Sequence, residues 1–300
     1  MTNPPPVGSP TTLADGLVSV LAPNASPMTF WGTNSYILGH DNLCVVDPGP
    51  DNPAHLEALL AAIGSRSVSH ILVTHSHLDH SPLSRTLAQS TGAPVLAYGN
   101  SNAGRSTVMK ELDATGALRG GEGVDREFKP DKCIADGETI EGDGWTLKAI
   151  HTPGHFGNHL TFLWNDDAFT GDHLMGWATS MVSPPDGDLT DFMASCHKLA
   201  KFPIKRGYCG HGPPIPDVQT RLHELITHRL SRETEILAAL KGGTHSASAL
   251  TGVIYTDIAP ALLPMAERNV LAHLVDLFGR KIVACDGTLS AQANFFLTEA

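Results

Sequence analysis

The chain has 300 residues, of which 41% are hydrophobic, and it carries a formal net charge of −11. This length can bury one large core and a smaller one, whereas the acidic balance argues against broad binding of polyanions, because nonspecific affinity for nucleic acid comes mainly from basic residues. No apolar stretch approaches the roughly 20 residues of a membrane span, so no membrane partner is expected.

A proline-rich arm over residues 2–10 precedes two strand signals at residues 34–39 and 43–49, which a polar turn joins into a predicted hairpin. Pro53 then begins a helix whose apolar residues recur at helical spacing and would cover one face of a sheet. Strand-like runs follow at residues 71–73, 94–98, 145–150 and 160–164. Helices outside two mixed sheets predict an α/β fold of the αββα sandwich type.

Residues 99–132 interrupt this alternation with a glycine-rich segment that contains a short helical patch at residues 107–112. Between residues 105 and 132 six Lys and Arg balance six Asp and Glu, so the segment offers no basic track. A long irregular insertion in a compact domain is usually a binding loop or a disordered stretch. We interpret it as a lid over the site described below.

The pattern changes at about residue 216, which divides the chain into predicted domains 1–215 and 216–300. The second domain contains predicted helices and then two strands, at residues 217–240, 246–255, 264–278, 281–285 and 294–297. Helices followed by a β-wing resemble a winged helix. Seven Lys and Arg face nine Asp and Glu in this domain, so duplex DNA is not an expected partner. Packing or dimerisation is favoured, and a homodimer is one expectation.

The segment His75-Ser76-His77-Leu78-Asp79-His80 follows directly on a buried strand signal. Its pattern of three histidines and an aspartate would arise by chance roughly 0.003 times in a chain of this composition. In a tight turn, His75 and His77 can point their imidazoles to one side. Asp79 and His80 can reach a second point nearby. The spacing therefore predicts two metal ions sharing one loop.

Three later segments also end strand-like runs at a candidate ligand. They are His151-Thr152-Pro153-Gly154-His155, Gly171-Asp172-His173 and Gly210-His211-Gly212-Pro213-Pro214. Cys209 precedes the last histidine by two residues, and we favour core packing for it over metal contact. The five cysteines are widely spaced and no secretory signal is visible at the N-terminus, so a cytoplasmic protein is expected.

In this order the motifs resemble the metallo-β-lactamase superfamily over roughly residues 28–215. The resemblance implies seven ligands to two metal ions. The first ion would take His75, His77 and His155. The second would take Asp79, His80 and His211, and Asp172 would bridge the two ions. Imidazole and carboxylate donors suit two zinc ions, with iron or manganese as alternatives because no thiolate selects against them.

The last histidine motif and the stretch from Asp172 to Trp177 look most like the β-lactamase-like group that includes a mitochondrial endoribonuclease. The C-terminal extension agrees with that group. One departure is Ser81-Pro82-Leu83-Ser84, where the family often has a small residue soon after the Asp-His pair. This departure alters the start of the next helix and leaves the candidate ligands unchanged.

The implied activity is that of a binuclear hydrolase in which Asp79 and Asp172 orient a metal-activated water. A small ester, thioester or lactone is the favoured substrate. A metal-dependent endoribonuclease or phosphodiesterase acting on single-stranded RNA is the alternative, and a non-catalytic metal-binding or partner-binding module is the weaker one. The best-known zinc β-lactamases use a Cys ligand and lack the bridging Asp, so antibiotic hydrolysis is not expected as the main activity.

Three further residues are candidates for contacts around the metals. Asp47 resembles a family position that orients a ligand histidine, although it also suits a turn before Pro-Gly. His159 would contact the substrate or brace a ligand. Trp177 is close enough to Asp172 in sequence to contact the substrate, although tryptophans are more often buried.

Overall fold

Short apolar runs separated by polar turns build the first sheet of the computed structural model, which describes residues 3–118 and 120–298. Its strands are β1 (Pro10–Ala14), β2 (Leu17–Leu21), β3 (Asn34–Leu38), β4 (Asn42–Val46), β5 (Ser67–Leu72), β6 (Val95–Ala97) and β7 (Lys132–Cys133). They lie side by side in that order, antiparallel from β1 to β4 and parallel from β4 to β7. The predicted hairpin corresponds to β3 and β4.

The hairpin of β1 and β2 is absent from the sequence prediction, which has no strand between the proline-rich arm and residue 34. Its turn is Asp15-Gly16, and Gly16 has a φ of +70°, a left-handed conformation that glycine adopts without strain. Leu17, Val20 and Leu21 of β2 are fully buried or nearly so. The sequence prediction omits these two strands because their apolar and polar residues do not alternate cleanly.

The second sheet has the spatial order β12-β11-β10-β9-β8. Its strands are β8 (Thr139–Gly142), β9 (Trp145–His151), β10 (Leu160–Trp164), β11 (Asp167–Gly171) and β12 (Arg206–Cys209). Only the β11–β12 pair is parallel within the described part of this sheet. Apolar side chains of the two sheets meet face to face and form the central core, with Leu38, Val46, Leu72, Leu147, Phe162 and Phe169 among its members.

Helices cover the outer face of each sheet. The helices are α1 (Pro53–Ile63), α2 (Leu83–Thr91), α3 (Thr107–Thr115), α4 (Leu189–Leu199), α5 (Val218–Leu240), α6 (Ala247–Ile254) and α7 (Leu263–Gly279). The first sheet carries α1 and α2, and the second carries α4 and the first half of α5. This order of layers confirms the predicted αββα sandwich. Asp188 caps α4 by accepting from the backbone N–H of Thr190.

The C-terminal module consists of α6, α7 and a small sheet of β13 (His245–Ser246), β14 (Val283–Cys285) and β15 (Asn294–Leu297), in the order β13-β15-β14. It is the predicted winged helix. Helix α5 belongs to two cores, because Leu222 and Leu225 pack behind the second sheet while Ile236 and Leu240 pack inside the module. The division at residue 215 therefore stays a prediction.

The insertion at residues 99–132 packs against this module rather than standing apart. Met109 of α3 and Leu118 are buried in the module's core. Farther along, the backbone N–H of Asp125 donates to the carbonyl of Ser76 at 2.9 Å. The insertion thus lies beside the histidine-rich loop. Within the described residues, no helix combines the length and the apolar character needed to cross a membrane.

Candidate metal centre

The candidate ligands lie where strands of both sheets end at one edge of the sandwich. The histidine-rich loop follows β5, and His155 lies in the loop between β9 and β10. Asp172 follows β11 directly, and His211 follows β12. Because β11 and β12 are parallel, and β11 is antiparallel to β10, these loops meet at the same edge. The topology therefore brings all seven predicted ligands together.

Three imidazoles form the first donor group. His77 Nδ1 lies 3.0 Å from His75 Nε2 and 3.2 Å from His155 Nε2. Burial, with the neighbouring imidazoles, holds the pKa of His75 well below its usual range and lowers that of His77 to about 3. One ring proton cannot serve both short contacts of His77, whereas a cation can accept a lone pair from each ring. The group fits a metal ion.

Asp79, His80 and His211 form the second donor group. His211 Nε2 lies 3.1 Å from Asp79 Oδ2 and 3.4 Å from His80 Nε2. Burial alone would lower the pKa of His211, but Asp172 and Asp79 raise it to about 9. Burial is likewise outweighed at His80, whose pKa lies well above its usual range beside these carboxylates. Since metal ligands must be deprotonated, a cation here would replace these protons.

Asp172 lies between the two groups. Its Oδ2 is 3.2 Å from His211 Nε2 and 3.8 Å from His155 Nε2, and its Oδ1 is 3.5 Å from His80 Nε2. Among the described residues, Oδ1 is buried and has no hydrogen-bond partner. A buried carboxylate oxygen without a donor is costly unless a cation completes its surroundings. This position suits a carboxylate that bridges two ions.

A protein oxygen faces the outward ring nitrogen of four candidate ligands, and for His75 it is Thr74 Oγ1, 3.0 Å from Nδ1. Asp47 Oδ2 lies 2.9 Å from His80 Nδ1, and the Asp47 carboxylate also accepts from both the backbone and the hydroxyl of Thr74. His211 Nδ1 faces the carbonyl of Gly32 at 3.1 Å. His155 Nδ1 faces the carbonyl of Met181 at 2.7 Å. Each such bond holds a tautomer whose other nitrogen points to the metal position.

The remaining predicted contacts take different places. His159 is fully buried, bonds to Thr152 Oγ1 at 2.9 Å and packs its ring 5.2 Å from that of His75, a placement that favours the bracing of a ligand over contact with a substrate. Trp177 is half-buried and stacks on Phe30, with ring centroids 4.6 Å apart. Cys209 is buried, and burial raises the pKa of its thiol to about 12. Its Sγ lies 3.0 Å from the carbonyl of His211 and 3.2 Å from that of Pro213, and the donor groups found among the described residues do not include it.

Asn158 is a structural contributor that sequence reasoning missed. Its side-chain amide donates to Ser76 Oγ at 2.9 Å and to the carbonyls of Gly99 and Asn100, and so joins three loops around the histidines. The aromatic row of Trp31, Phe30 and Trp177 was missed as a unit, because Trp177 lies more than a hundred residues after the adjacent pair Phe30 and Trp31. No local spacing signals either feature.

Comparison with known families agrees with this geometry. Residues 28–211 match the model of the metallo-beta-lactamase superfamily, and residues 246–288 match the beta-lactamase associated winged helix domain. The chain belongs to the metallo-β-lactamase superfamily. The predicted membership and fold class are thereby confirmed.

Three relatives illustrate the relationship. The Beta-lactamase-like protein 2 homolog of Caenorhabditis elegans is 31% identical over 86% of this chain and 82% of its own length, and it fits the group predicted from the sequence. An atrochrysone carboxyl ACP thioesterase of Aspergillus fumigatus is 31% identical over 76% of this chain and 66% of its own length. A metallo-beta-lactamase family protein from Thermus thermophilus superposes with a TM-score of 0.76 at 28% identity, covering 96% of this chain and all of that one. Family and donor set together support a metal-dependent hydrolase.

Proposed function

We propose that the chain is a binuclear metal-dependent hydrolase whose favoured substrate is a small ester, thioester or lactone. The observation that carries this proposal is the meeting of two donor groups at one carboxylate, that of Asp172. In the proposed assignment, His75, His77 and His155 bind one ion. Asp79, His80 and His211 would bind the other. Asp172, which lies near His80 and His75 and contacts both groups, would bridge them.

When bound, the two ions would lower the pKa of a water molecule and polarise the oxygen of the scissile bond. The chain's own residues would then orient the reactants. The side chain of Asp79 is 27% exposed whereas that of Asp172 is 9% exposed, so Asp79 lies on the more open side of the centre. We assign Asp79 the role of holding the attacking water and accepting its proton.

A row of three aromatic rings supports an acyl group as the substrate. Phe30 stacks between Trp31 and Trp177, with ring centroids at 5.0 and 4.6 Å. Gly212, next to the candidate ligand His211, lets the aromatic row lie close to the backbone of this loop. A Cβ at Gly212 would lie 2.6 Å from Trp177 and 3.3 Å from Phe30. A flat, half-exposed aromatic surface next to the loop of His211 fits a flat or apolar acyl group better than a polyanion.

The backbone of Phe30 supports a role for this row. Its φ of +54° is left-handed, which is uncommon for an aromatic residue and costs free energy. The side chain of Asn24 holds the loop in this shape by bonding both the hydroxyl and the N–H of Thr33 at 2.9 Å. Strained residues held in this way often line functional sites. With a thioesterase among the relatives, the thioester is the first substrate to test.

Zinc is the proposed metal, with iron or manganese as alternatives, since the donors are nitrogen and oxygen. Hydrolysis of single-stranded RNA is the alternative function, because the same centre would polarise a phosphoryl oxygen and the chain resembles the endoribonuclease-containing group. The net charge of −11 weighs against it. A non-catalytic module is the weakest candidate, since all seven donors are present. A cytoplasmic location is part of the proposal.

An activity panel tests the proposal. Esters, lactones, acyl thioesters, phosphodiesters and single-stranded RNA would be incubated with protein loaded with zinc, manganese or iron. Turnover of a thioester or ester that disappears with a chelator and with Asp79→Asn is expected. Cleavage of RNA alone would replace the lead proposal with the alternative. Metal binding without turnover of any substrate class would favour the non-catalytic module.

A further inference from the structure

Three side chains of the C-terminal helices converge on one short segment of the catalytic region, residues 180–184, called here the clamped segment. Arg229 of α5 donates through Nη2 to the carbonyl of Ser180. Asn269 of α7 accepts from the backbone N–H of Val182 at 3.2 Å. Arg268, also of α7, donates through Nε to Ser183 Oγ at 2.7 Å and through Nη2 to the carbonyl of Pro184. The contacts flank a single residue, Met181.

Met181 is the residue whose carbonyl faces His155 Nδ1 at 2.7 Å. That bond holds the Nδ1 proton of His155 and leaves Nε2 to face His77 and Asp172. If Met181 moved, the imidazole would lose its orientation toward the first donor group. Partners of this kind, which bond the outer nitrogen of a ligand histidine, commonly decide metal affinity.

The arrangement around Arg229 costs free energy that simple packing would avoid. Arg229 is 2% exposed. Among the described residues, its guanidinium donates to two neutral oxygens, those of Ser180 and Asn269, and lies 5.3 Å from the ring centroid of Phe192. Burial lowers its pKa to about 10, so it stays charged at neutral pH. A buried cation bonded to neutral groups regains little of the solvation energy that it loses. A well-packed apolar side chain would stabilise the helix contact more cheaply.

Asn269 links the two contacts that lie on either side of Met181. Its Oδ1 accepts both from Arg229 Nη1 at 2.9 Å and from Val182 N. The same oxygen therefore fixes the cation that holds Ser180 and the amide that follows Met181. A single side-chain oxygen of the module thus sets the position of the backbone on which His155 depends.

We propose that Asn269 and Arg229 are positioning residues for the metal ligand His155, so that the C-terminal module sets the affinity of the first metal ion. This inference rests on the proposed metal centre and assigns the module a part in it. The module reaches the metal through the clamped segment.

Asn269→Leu is the primary test, because it removes the oxygen while keeping a similar side-chain volume. Asn269→Asp keeps the oxygen but loses the amide that donates to Met265. The affinity for each zinc ion would be measured by competition with a chromophoric chelator. Asn269→Leu is expected to weaken the affinity for one zinc ion about 10- to 100-fold and to leave the affinity for the other within a few-fold of the wild-type value. Asn269→Asp is expected to bind both ions like the wild type.

Arg229→Met is paired with Arg232→Met as a matched control on the same helix. Arg232 lies over the ring of Tyr255 at 4.4 Å and bonds to Glu235, away from the clamped segment. Only Arg229→Met is expected to weaken zinc binding. Leu250→Ala, which removes apolar contacts inside the module core, provides the stability control. This variant should lower the melting temperature of the metal-free protein without weakening its affinity for zinc.

Wild-type affinity for both ions in Asn269→Leu would overturn the inference. An equal loss of affinity in Leu250→Ala, at an equal loss of melting temperature, would also overturn it by showing that the module only stabilises the fold. His155→Ala separates these failures from failure of the metal centre. If His155→Ala loses one of two ions while Asn269→Leu loses none, the proposed metal centre is supported and the positioning role of Asn269 is rejected. A wild-type protein that binds no metal overturns both.

Discussion

At the scale of single residues, protons and metal ions compete for the same atoms, and the two donor groups differ in this respect. Burial keeps the imidazoles of His75 and His77 neutral. In the second group, carboxylates hold the pKa of His80 and His211 above the usual range. The first group therefore presents free lone pairs, whereas the second must release protons before it binds a cation.

His77→Ala is expected to lose metal and activity together, because His77 Nδ1 contacts both other imidazoles of the first group. Metal content by elemental analysis and turnover in the same preparation would check this. His223→Ala, at an exposed position of α5, is the control and should keep both. A wild-type protein without transition metal even after zinc addition would contradict the metal centre itself.

Asp79→Asn should affect rate more than folding. The amide keeps the size of the side chain but cannot accept a proton from water, so turnover should fall about 10²- to 10⁴-fold. Circular dichroism should show an unchanged fold, and at least one metal ion should remain bound. Near-normal turnover in this variant would move the catalytic role to another residue.

The candidate ligands could be predicted from the sequence because they occur in short motifs, where local spacing carries the information. Asp47, which bonds to His80 Nδ1, was also anticipated, from the family resemblance. The residues that join distant loops around the ligands could not be predicted. Asn158 bonds to Ser76, 82 residues away, and Asn269 bonds to Val182, 87 residues away. Such pairs become neighbours only when the sheets and the module pack, so no spacing in the chain reveals them.

At the scale of elements, the polar residues of α7 bear on our expectation that duplex DNA is not a partner. This helix would enter the groove in a DNA-binding winged helix. Here its polar residues face the protein: Arg268 bonds to the clamped segment, His273 is buried, and Asp276 bonds to Thr190 of α4. These contacts support the packing role expected from the acidic charge of residues 216–300. Duplex DNA as a partner would require α7 to leave them.

The buried histidine of α7 predicts a pH effect on stability. Burial and then the nearby Arg229 lower the pKa of His273 to about 3, while an unfolded histidine titrates near about 6.5. The unfolded chain then binds the proton more tightly, so stability is full above about pH 6.5 and falls as the pH drops toward 3. His273→Leu should flatten this fall. Urea unfolding at several pH values would check it, and an unchanged slope would contradict it.

At the scale of the whole molecule, the C-terminal module covers surface that the catalytic region cannot leave in water. Ala272 of α7 packs into the core behind the second sheet, and Met109 and Leu118 of the insertion pack into the module. The insertion beside the histidine-rich loop and the clamped segment are thus both in contact with the C-terminal helices. The expectation that a second copy of the chain is a further partner stays a prediction.

Deletion of the residues after Pro216 should therefore give an insoluble protein or one with an altered oligomeric state, and it should impair activity. Gel filtration and turnover of the truncated protein would measure this. An active monomer would contradict the covering role. Salt-sensitive binding of duplex DNA by the module would contradict the expectation drawn from its charge and from α7.

One continuous helix, α5, also has a thermodynamic consequence. Leu222 and Leu225 anchor its first turns behind the second sheet, and Ile236 and Leu240 anchor its last turns in the module. Unfolding either core would fray the helix on which the other depends, and this couples their melting into one cooperative unit. Calorimetry should accordingly record a single transition, with equal calorimetric and van't Hoff enthalpies, although the chain is built from two recognisable folds.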